Sequence, residues 1–403
     1  MRVRTGNGLQ LTLNDDFKAG RSGRVYTVRE YPQIVVKIYM EDAPRHVDRV
    51  RAMVRSWRPT AWLEQGLHLA WPLDTVTMDD GAVVGFAMER LDSDVFAPIQ
   101  AVLKPGERAR AYPGSTWESQ FRVARNLARA VARLHRNDVV VGDLSEKNVW
   151  VSKDGVVAFL DCDSMQFRDA ESGTLFPSLY ITEDVAPPEL LEGQDPGVPR
   201  RPESDNFTLA VIVCQLLMDG AHPFRGVPRQ GSSTHRTDNV LSGDAWLLHP
   251  QRMKRLRQWP QHPSDVPLPP RVLTLAEQCF GPGLRTLERR PTAAAWAEVL
   301  GLAMEELRTC DAERTHVFHR GATDCPWCRR DGRTTLPVSR PVPAPPTRPT
   351  PQSPAVEVRP PRSGAAPVVK PPPPPKPVVP DIPPALVVVA VVLFFIFLAL
   401  LVL

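Results

Sequence analysis

The stretch Val139-Val140-Val141-Gly142-Asp143-Leu144-Ser145-Glu146-Lys147-Asn148-Val149-Trp150-Val151, continuing through Lys153-Asp154-Gly155 to Val156-Val157-Ala158-Phe159-Leu160-Asp161-Cys162-Asp163, decides how this 403-residue chain is read. Two apolar, β-branched runs flank a short glycine turn, which is the pattern of an antiparallel hairpin. Asn148 opens the first run, Asp161 closes the second, and Asp143 lies five residues before Asn148. Taken singly, each acid is an ordinary turn or strand-end carboxylate. Two acids and an amide around one hairpin form a constellation. The chain reaches them from Phe121-Arg122-Val123-Ala124-Arg125-Asn126-Leu127-Ala128-Arg129-Ala130-Val131-Ala132-Arg133-Leu134-His135, an amphipathic helix with Val123, Leu127, Val131 and Leu134 on one face.

Further upstream, Leu9-Gln10-Leu11-Thr12-Leu13 alternates as a strand and leads into Phe17-Lys18-Ala19-Gly20-Arg21-Ser22-Gly23-Arg24-Val25-Tyr26, the shape of a glycine-rich hairpin. Small residues at Gly20 and Gly23 let backbone N–H groups approach phosphate oxygens, although two nearby glycines also suit a plain turn. Fourteen residues after Gly23, the apolar strand Ile34-Val35-Val36-Lys37-Ile38-Tyr39 is interrupted by one lysine. An unpaired ammonium costs several kcal/mol on a buried strand, so Lys37 must face solvent or meet an anion.

Hairpin, lysine and catalytic stretch together resemble the eukaryotic-like protein kinases over residues 9–307. That resemblance implies an α+β, two-lobed fold, with a β-rich lobe over 9–91 and a helical lobe over 92–307. It also implies ATP with Mg²⁺ or Mn²⁺ and transfer to protein Ser or Thr. Gly20, Gly23 and Val25 would cover the nucleotide, and Lys37 would grip its α- and β-phosphates. Met88, Glu89 and Leu91 would form the adenine hinge, with Met88 as gatekeeper. Asp143 would take the proton of the attacking hydroxyl, while Asn148 and Asp161 would hold the metal. Pro187-Pro188-Glu189, Asp205 and Arg290 match the trio that builds a protein-substrate lobe, with Glu189 expected to pair with Arg290.

The departures from the pattern are specific. Lys18 replaces the first glycine, Val141-Gly142-Asp143 stands for His-Arg-Asp, Ser145 replaces a lysine, and Cys162-Asp163 replaces Phe-Gly. The missing arginine before Asp143 argues against activation through a phosphorylated loop. The acid that should pair with Lys37 from the following helix is assigned to Asp48, the only acid inside that helical pattern. These departures keep open a nucleotide-binding pseudokinase scaffold. Gly-Asp-Leu also suits small-molecule phosphotransferases, which generally lack the Glu189 and Arg290 pair.

Cys310, His316, Cys325 and Cys328, the last two in Cys-Pro-Trp-Cys, have the ligand types and Cys-x2-Cys spacing of a structural Zn²⁺ site over residues 308–334. His316 is preferred to His319 because it lies nearer Cys310. Six cysteines are too few for a disulfide scaffold. A kinase with such a ribbon resembles those of bacterial tellurium-resistance-associated triads, which implies a phosphatase and a von Willebrand-type protein as partners.

Of 44 prolines, twenty fall in residues 335–384, which cannot bury a core and read as a linker. The net charge of +4 is accounted for by that linker, leaving the folded part near neutral, so no nucleic-acid partner is expected. Arg252, Lys254, Arg255 and Arg257 read as a solvated face. With a polar, basic start to the chain, a cleaved signal peptide is not expected. Residues 385–403 carry no polar side chain and would span roughly 28 Å as a helix. They are expected to be a single-pass anchor in the cell membrane, with the kinase domain on the cytoplasmic side.

Overall fold

The computed structural model describes residues 1–20, 22–40, 43–56, 67–193, 198–228, 235–245, 256–257 and 268–332. All lie in the first of two compact units, Met1–Arg340. The linker 335–384 and the apolar segment 385–403 lie outside the described residues, as does most of the basic run. The expectation of a single-pass membrane location is corrected: among the described residues no helix is long and apolar enough to cross a membrane.

The unit is mixed α and β. Strands β1 (Arg2–Thr5), β2 (Gln10–Ala19), β3 (Gly23–Val28) and β4 (Ile34–Tyr39) are followed by helix α1 (Ala43–Ser56), the short β5 (Leu67–Leu69), β6 (Asp74–Thr77) and β7 (Val83–Glu89). Six of these strands close into a barrel in the order β1-β2-β3-β4-β7-β6. Closure comes from β1, where Arg4 and Thr5 pair with Thr77 and Val76. Strand β1, which precedes Leu9, is thus part of the same barrel. Alternation of apolar and polar residues makes this possible: Val3, Leu11, Leu13, Val28, Val36, Val76 and Ala87 pack inside the barrel.

Beyond the barrel come β8 (Phe96–Pro98), α2 (Ile99–Leu103), α3 (Pro105–Ala111) and the long α4 (Trp117–Arg136), then the hairpin β9 (Val149–Ser152) and β10 (Val157–Phe159). The hairpin joins β8 and β5 in a four-stranded sheet, β5 running parallel to β10. Helix α4 starts on a reciprocal cap between Thr116 and Ser119. Its apolar stripe, Phe121, Val123, Leu127, Val131 and Leu134, belongs to one large core shared with the hairpin. After α5 (Pro188–Leu191), helix α6 (Pro202–Leu217) is buried from Ser204 to Leu217. Such all-round burial marks the centre of a domain. The outer helices are α7 (Arg236–Ser242), α8 (Pro270–Phe280) and α9 (Ala293–Glu305).

The short pair β11 (Leu307–Thr309) and β12 (Val317–His319) and the helix α10 (Pro326–Arg330) join the same core. The Trp327 ring meets Trp117 edge-on at 5.9 Å, its Nε1–H donates to the Val317 carbonyl, and Arg330 pairs with Asp219. The cysteine knuckle is thus seated on the N-terminal turn of α4.

Candidate active site

Residues 139–148 are fixed from below by α6. Asp205, buried at the first turn of that helix, accepts from the backbone N–H of Val141 at 2.7 Å and of Gly142 at 2.8 Å, and contacts His135 Nε2 at 2.9 Å. A buried carboxylate taking two backbone donors is a strong local constraint. It turns the chain through Gly142, whose φ of +72° and lack of space suit glycine alone; an added Cβ would lie 2.3 Å from Ser178 Oγ.

The space beside Gly142 holds an arginine from elsewhere. Buried Arg200 donates from Nη1 to the carbonyls of Gly142 and Tyr180 and to Ser178 Oγ. The arginine missing before Asp143 is therefore replaced in space by one 58 residues along the chain from Gly142, which also engages Ser178 and Tyr180 of the segment that follows Asp161. Spacing within the catalytic motif could not reveal it.

Asn148 donates from its amide to the Asp143 carbonyl and to Asp143 Oδ2, both at 3.1 Å. Both donations use Nδ2, which leaves Oδ1 as the group able to hold a cation. The other oxygen of Asp143, Oδ1, accepts from the Thr182 hydroxyl at 2.8 Å. Leu160 N–H donates to the Asn148 carbonyl at 2.8 Å, and Val149 pairs with Phe159, so the hairpin delivers Asp161 beside Asn148. Asp161 sits in the left-handed region, φ 50°, a conformation that a short polar side chain tolerates. Its carboxylate is half exposed and lies 3.1 Å from Lys37 Nζ.

Lys37 is buried, with 3% of its surface exposed. Its main partner is Asp163, with Nζ 2.8 Å and 3.0 Å from the two carboxylate oxygens. Tyr39 OH donates to Asp163 Oδ2 at 3.0 Å. Burial alone would push the lysine pKa down, but the carboxylates of Asp163 and Asp161 outweigh it and hold it above the ordinary lysine range. Asp163 responds in kind: burial opposes its charge, and Lys37 overcomes that, holding the carboxyl below its usual range. Tyr39 is pushed well up by burial and then by the adjacent Asp163 charge.

The assignment of Asp48 as the partner of Lys37 is corrected. Its side chain is 87% exposed and lies 3.9 Å from Arg51, on the outer face of α1. The inner face carries a histidine and an arginine instead. His46 stacks on Tyr39 at 4.3 Å, and Arg49 donates to the carbonyls of Met165 at 2.7 Å, Asp163 at 3.4 Å and Pro177. His46, Arg49, Val50 and Met53 share this face at helical spacing. The readable signal was that spacing around Val50 and Met53, together with Asp163 standing where the kinase pattern has glycine.

Around the positions that the resemblance assigns to the adenine hinge, Val25 and Leu160 pack against Val35, Tyr39, Phe86 and Met88. Met88 is buried, Glu89 exposed and Leu91 intermediate. Val35 pairs with Met88, and Arg90 N–H donates to the Gln33 carbonyl, fixing the chain as it leaves β7. At the β2–β3 turn, Gly20 N–H donates to the Gly23 carbonyl at 2.8 Å. A Cβ at Gly23 would lie 2.5 Å from the Ile38 carbonyl oxygen, so contact with β4 already demands glycine there. On the far side, Arg290 Nη1 and Nη2 each meet a Glu189 oxygen at 2.7 Å, with the guanidinium fully buried.

In the knuckle, one ligand atom each from Cys310, His316, Cys325 and Cys328 lies within 4.8 Å of the others. His316 Nδ1 is 3.4 Å from Cys328 Sγ and 3.7 Å from Cys325 Sγ, while its Nε2 faces Asp331 at 3.3 Å. A carboxylate on the outer nitrogen is the usual way to orient a ligand histidine. His319 points elsewhere, with Nε2 on Glu306 and Nδ1 accepting from Gly321 N–H.

No family model matches the chain. It is similar to the protein named Protein kinase YegI of Escherichia coli strain K12, 30% identical over 342 residues that cover 83% of this chain and 51% of the relative. It is likewise similar to Protein kinase YegI of Escherichia coli O157:H7, 30% identical over 338 residues, covering 82% and 51%. The chain thus spans about half the length of the curated relatives it matches. This likeness supports a bacterial protein kinase family for the site described above.

Proposed function

We propose that the chain transfers the γ-phosphoryl group of Mg-ATP to Ser or Thr hydroxyls of proteins, on a two-lobed framework whose N-terminal lobe is the barrel. The observation that carries this reading is the chain of contacts Lys37–Asp161 and Asn148–Asp143, joined through the hairpin backbone. The residues present fit the nucleotide and its metal. Asp161 offers a half-exposed carboxylate, Asn148 an amide oxygen, Lys37 an ammonium, and Val25, Met88 and Leu160 an apolar wall.

Bound Mg²⁺ would neutralise charge on the transferring phosphates. Asp161 and Asn148 would hold it. Asp143, oriented by Asn148, accepts the proton of the attacking hydroxyl. Thr182 supports a Ser/Thr-type acceptor, because an aliphatic hydroxyl already donates to Asp143 at hydrogen-bond distance. The Glu189–Arg290 pair supports a protein substrate over a small molecule. The cysteine knuckle supports a structural zinc site, since Cys310, His316, Cys325 and Cys328 bring four sulfur and nitrogen donors within 4.8 Å of one another and would hold the ion with protein ligands alone.

The test is transfer of labelled phosphate from ATP to the full-length chain itself or to a generic protein. Transfer is expected, and Asp161→Ala abolishes it. Stabilisation by ATP with no transfer from the parent chain would instead establish a pseudokinase scaffold.

A further inference from the structure

We infer that Asp163 is the positioning residue for Lys37, so that the lysine takes its phosphate-gripping orientation from the metal-binding segment and not from an acid on helix α1. This deepens the reading above and rests on it. In protein kinases at large, the strand lysine is held by a glutamate of the following helix, and that pair must be in place for activity. Here the helix face turned toward the site carries His46 and Arg49, and the acid has moved to a position two residues past Asp161. The sign of the helix contact is reversed. The helix now presents positive charge to the segment, through Arg49 on the Asp163 and Met165 carbonyls, and the segment presents negative charge to the lysine.

Three features make Asp163 a holder of Lys37 and not a third metal ligand. Its side chain is 4% exposed, against 50% for Asp161. Both its oxygens are taken up, Oδ1 by Lys37 and Oδ2 by Lys37 and Tyr39. It therefore offers the cation site no free face, whereas Asp161 spends one oxygen on Lys37 at a longer distance. The three N–H donors of the ammonium go to Asp163 Oδ1, Asp163 Oδ2 and Asp161 Oδ1, so a phosphate oxygen would take the donor now spent on Asp161, the longest of the three contacts and the one on the exposed carboxylate. A consequence follows for control. Displacing α1 does not by itself remove the acid from Lys37, so this centre stays assembled under a helix motion that would break the usual pair.

The test measures the affinity of the full-length chain for a fluorescent ATP analogue, in EDTA and in Mg²⁺, for the parent, Lys37→Met, Asp163→Asn and the double variant, with Asp48→Ala as control. If Asp163 acts through the lysine, Asp163→Asn and Lys37→Met each weaken binding about tenfold or more, in EDTA as well as in Mg²⁺. The double variant is then no weaker than Lys37→Met, and Asp48→Ala binds as the parent does. If Asp163→Asn loses affinity only in Mg²⁺, or its loss multiplies that of Lys37→Met, Asp163 is a metal ligand or an independent contact and the inference fails. Should Asp163→Asn not fold, the double variant, which leaves no unpaired buried charge, carries the comparison against Lys37→Met alone. Because the readout is nucleotide affinity, a parent chain that binds but transfers nothing defeats the kinase reading while leaving this result intact.

Discussion

Two buried ion pairs, one inside the candidate site and one on its far side, differ in how they are written in the chain. Glu189 and Arg290, 101 residues apart, meet at 2.7 Å from the positions that the kinase resemblance names for them. Lys37 and Asp163 meet at 2.8 Å, and only the lysine stands where that resemblance puts it. The difference teaches that physical demand outlives the motif. A buried ammonium on an apolar strand requires an anion, and any neighbouring element that can deliver one satisfies the requirement. Arg200 tells the same story with opposite charge, filling from a distant position the space beside Gly142.

The comparison sharpens when the two pairs are broken separately. Arg290→Met leaves Glu189 without its bidentate partner beneath the helical core, and is expected to cost about 3–5 kcal/mol of stability, read from the denaturation midpoint. Nucleotide affinity of the folded fraction should stay at the parent value, unlike that of Asp163→Asn. Arg49→Met removes charge-assisted bonds to carbonyls of the 163–177 segment and is expected to cost about 1.5–3 kcal/mol. Faster amide exchange confined to that segment and to α1 would identify the cause.

Metal removal probes a third region, remote from both pairs. Treating the chain with a zinc chelator, or replacing Cys328 by Ala, should free the knuckle from α4, lower the melting temperature and release about one zinc per chain. Fluorescence of the Trp327 and Trp117 pair gives a local readout. The smallest effect belongs to Asp48→Ala, which should change stability by no more than about 0.5 kcal/mol, as befits an exposed helix charge.

Much of the centre was legible because its parts are local. Asp143, Asn148 and Asp161 flank one hairpin readable from its apolar runs, and the kinase resemblance named the three residues on it. Gly20, Gly23 and Lys37 likewise lie along consecutive strands. What sequence reasoning missed is non-local. Barrel closure depends on Arg4 and Thr5 finding Val76 and Thr77, a pairing that no periodicity encodes. Arg200 is one basic residue among 49, distinguished only by the cavity that Gly142 leaves for it. Asp163 was visible as a departure, but its role required knowing that the inner face of α1 offers Arg49 and not an acid. His316 was preferred to His319 on nearness along the chain; in the fold, the two rings are separated by their outer partners, Asp331 and Glu306.

The most direct test of the whole account is Asp143→Asn, assayed for Mg-ATP affinity and for phosphoryl transfer on the same preparation. If Asp143 is the base that receives the hydroxyl proton, affinity stays within about twofold of the parent while the transfer rate falls by about 10²–10⁴-fold. Undiminished transfer by the variant would contradict the catalytic centre described here.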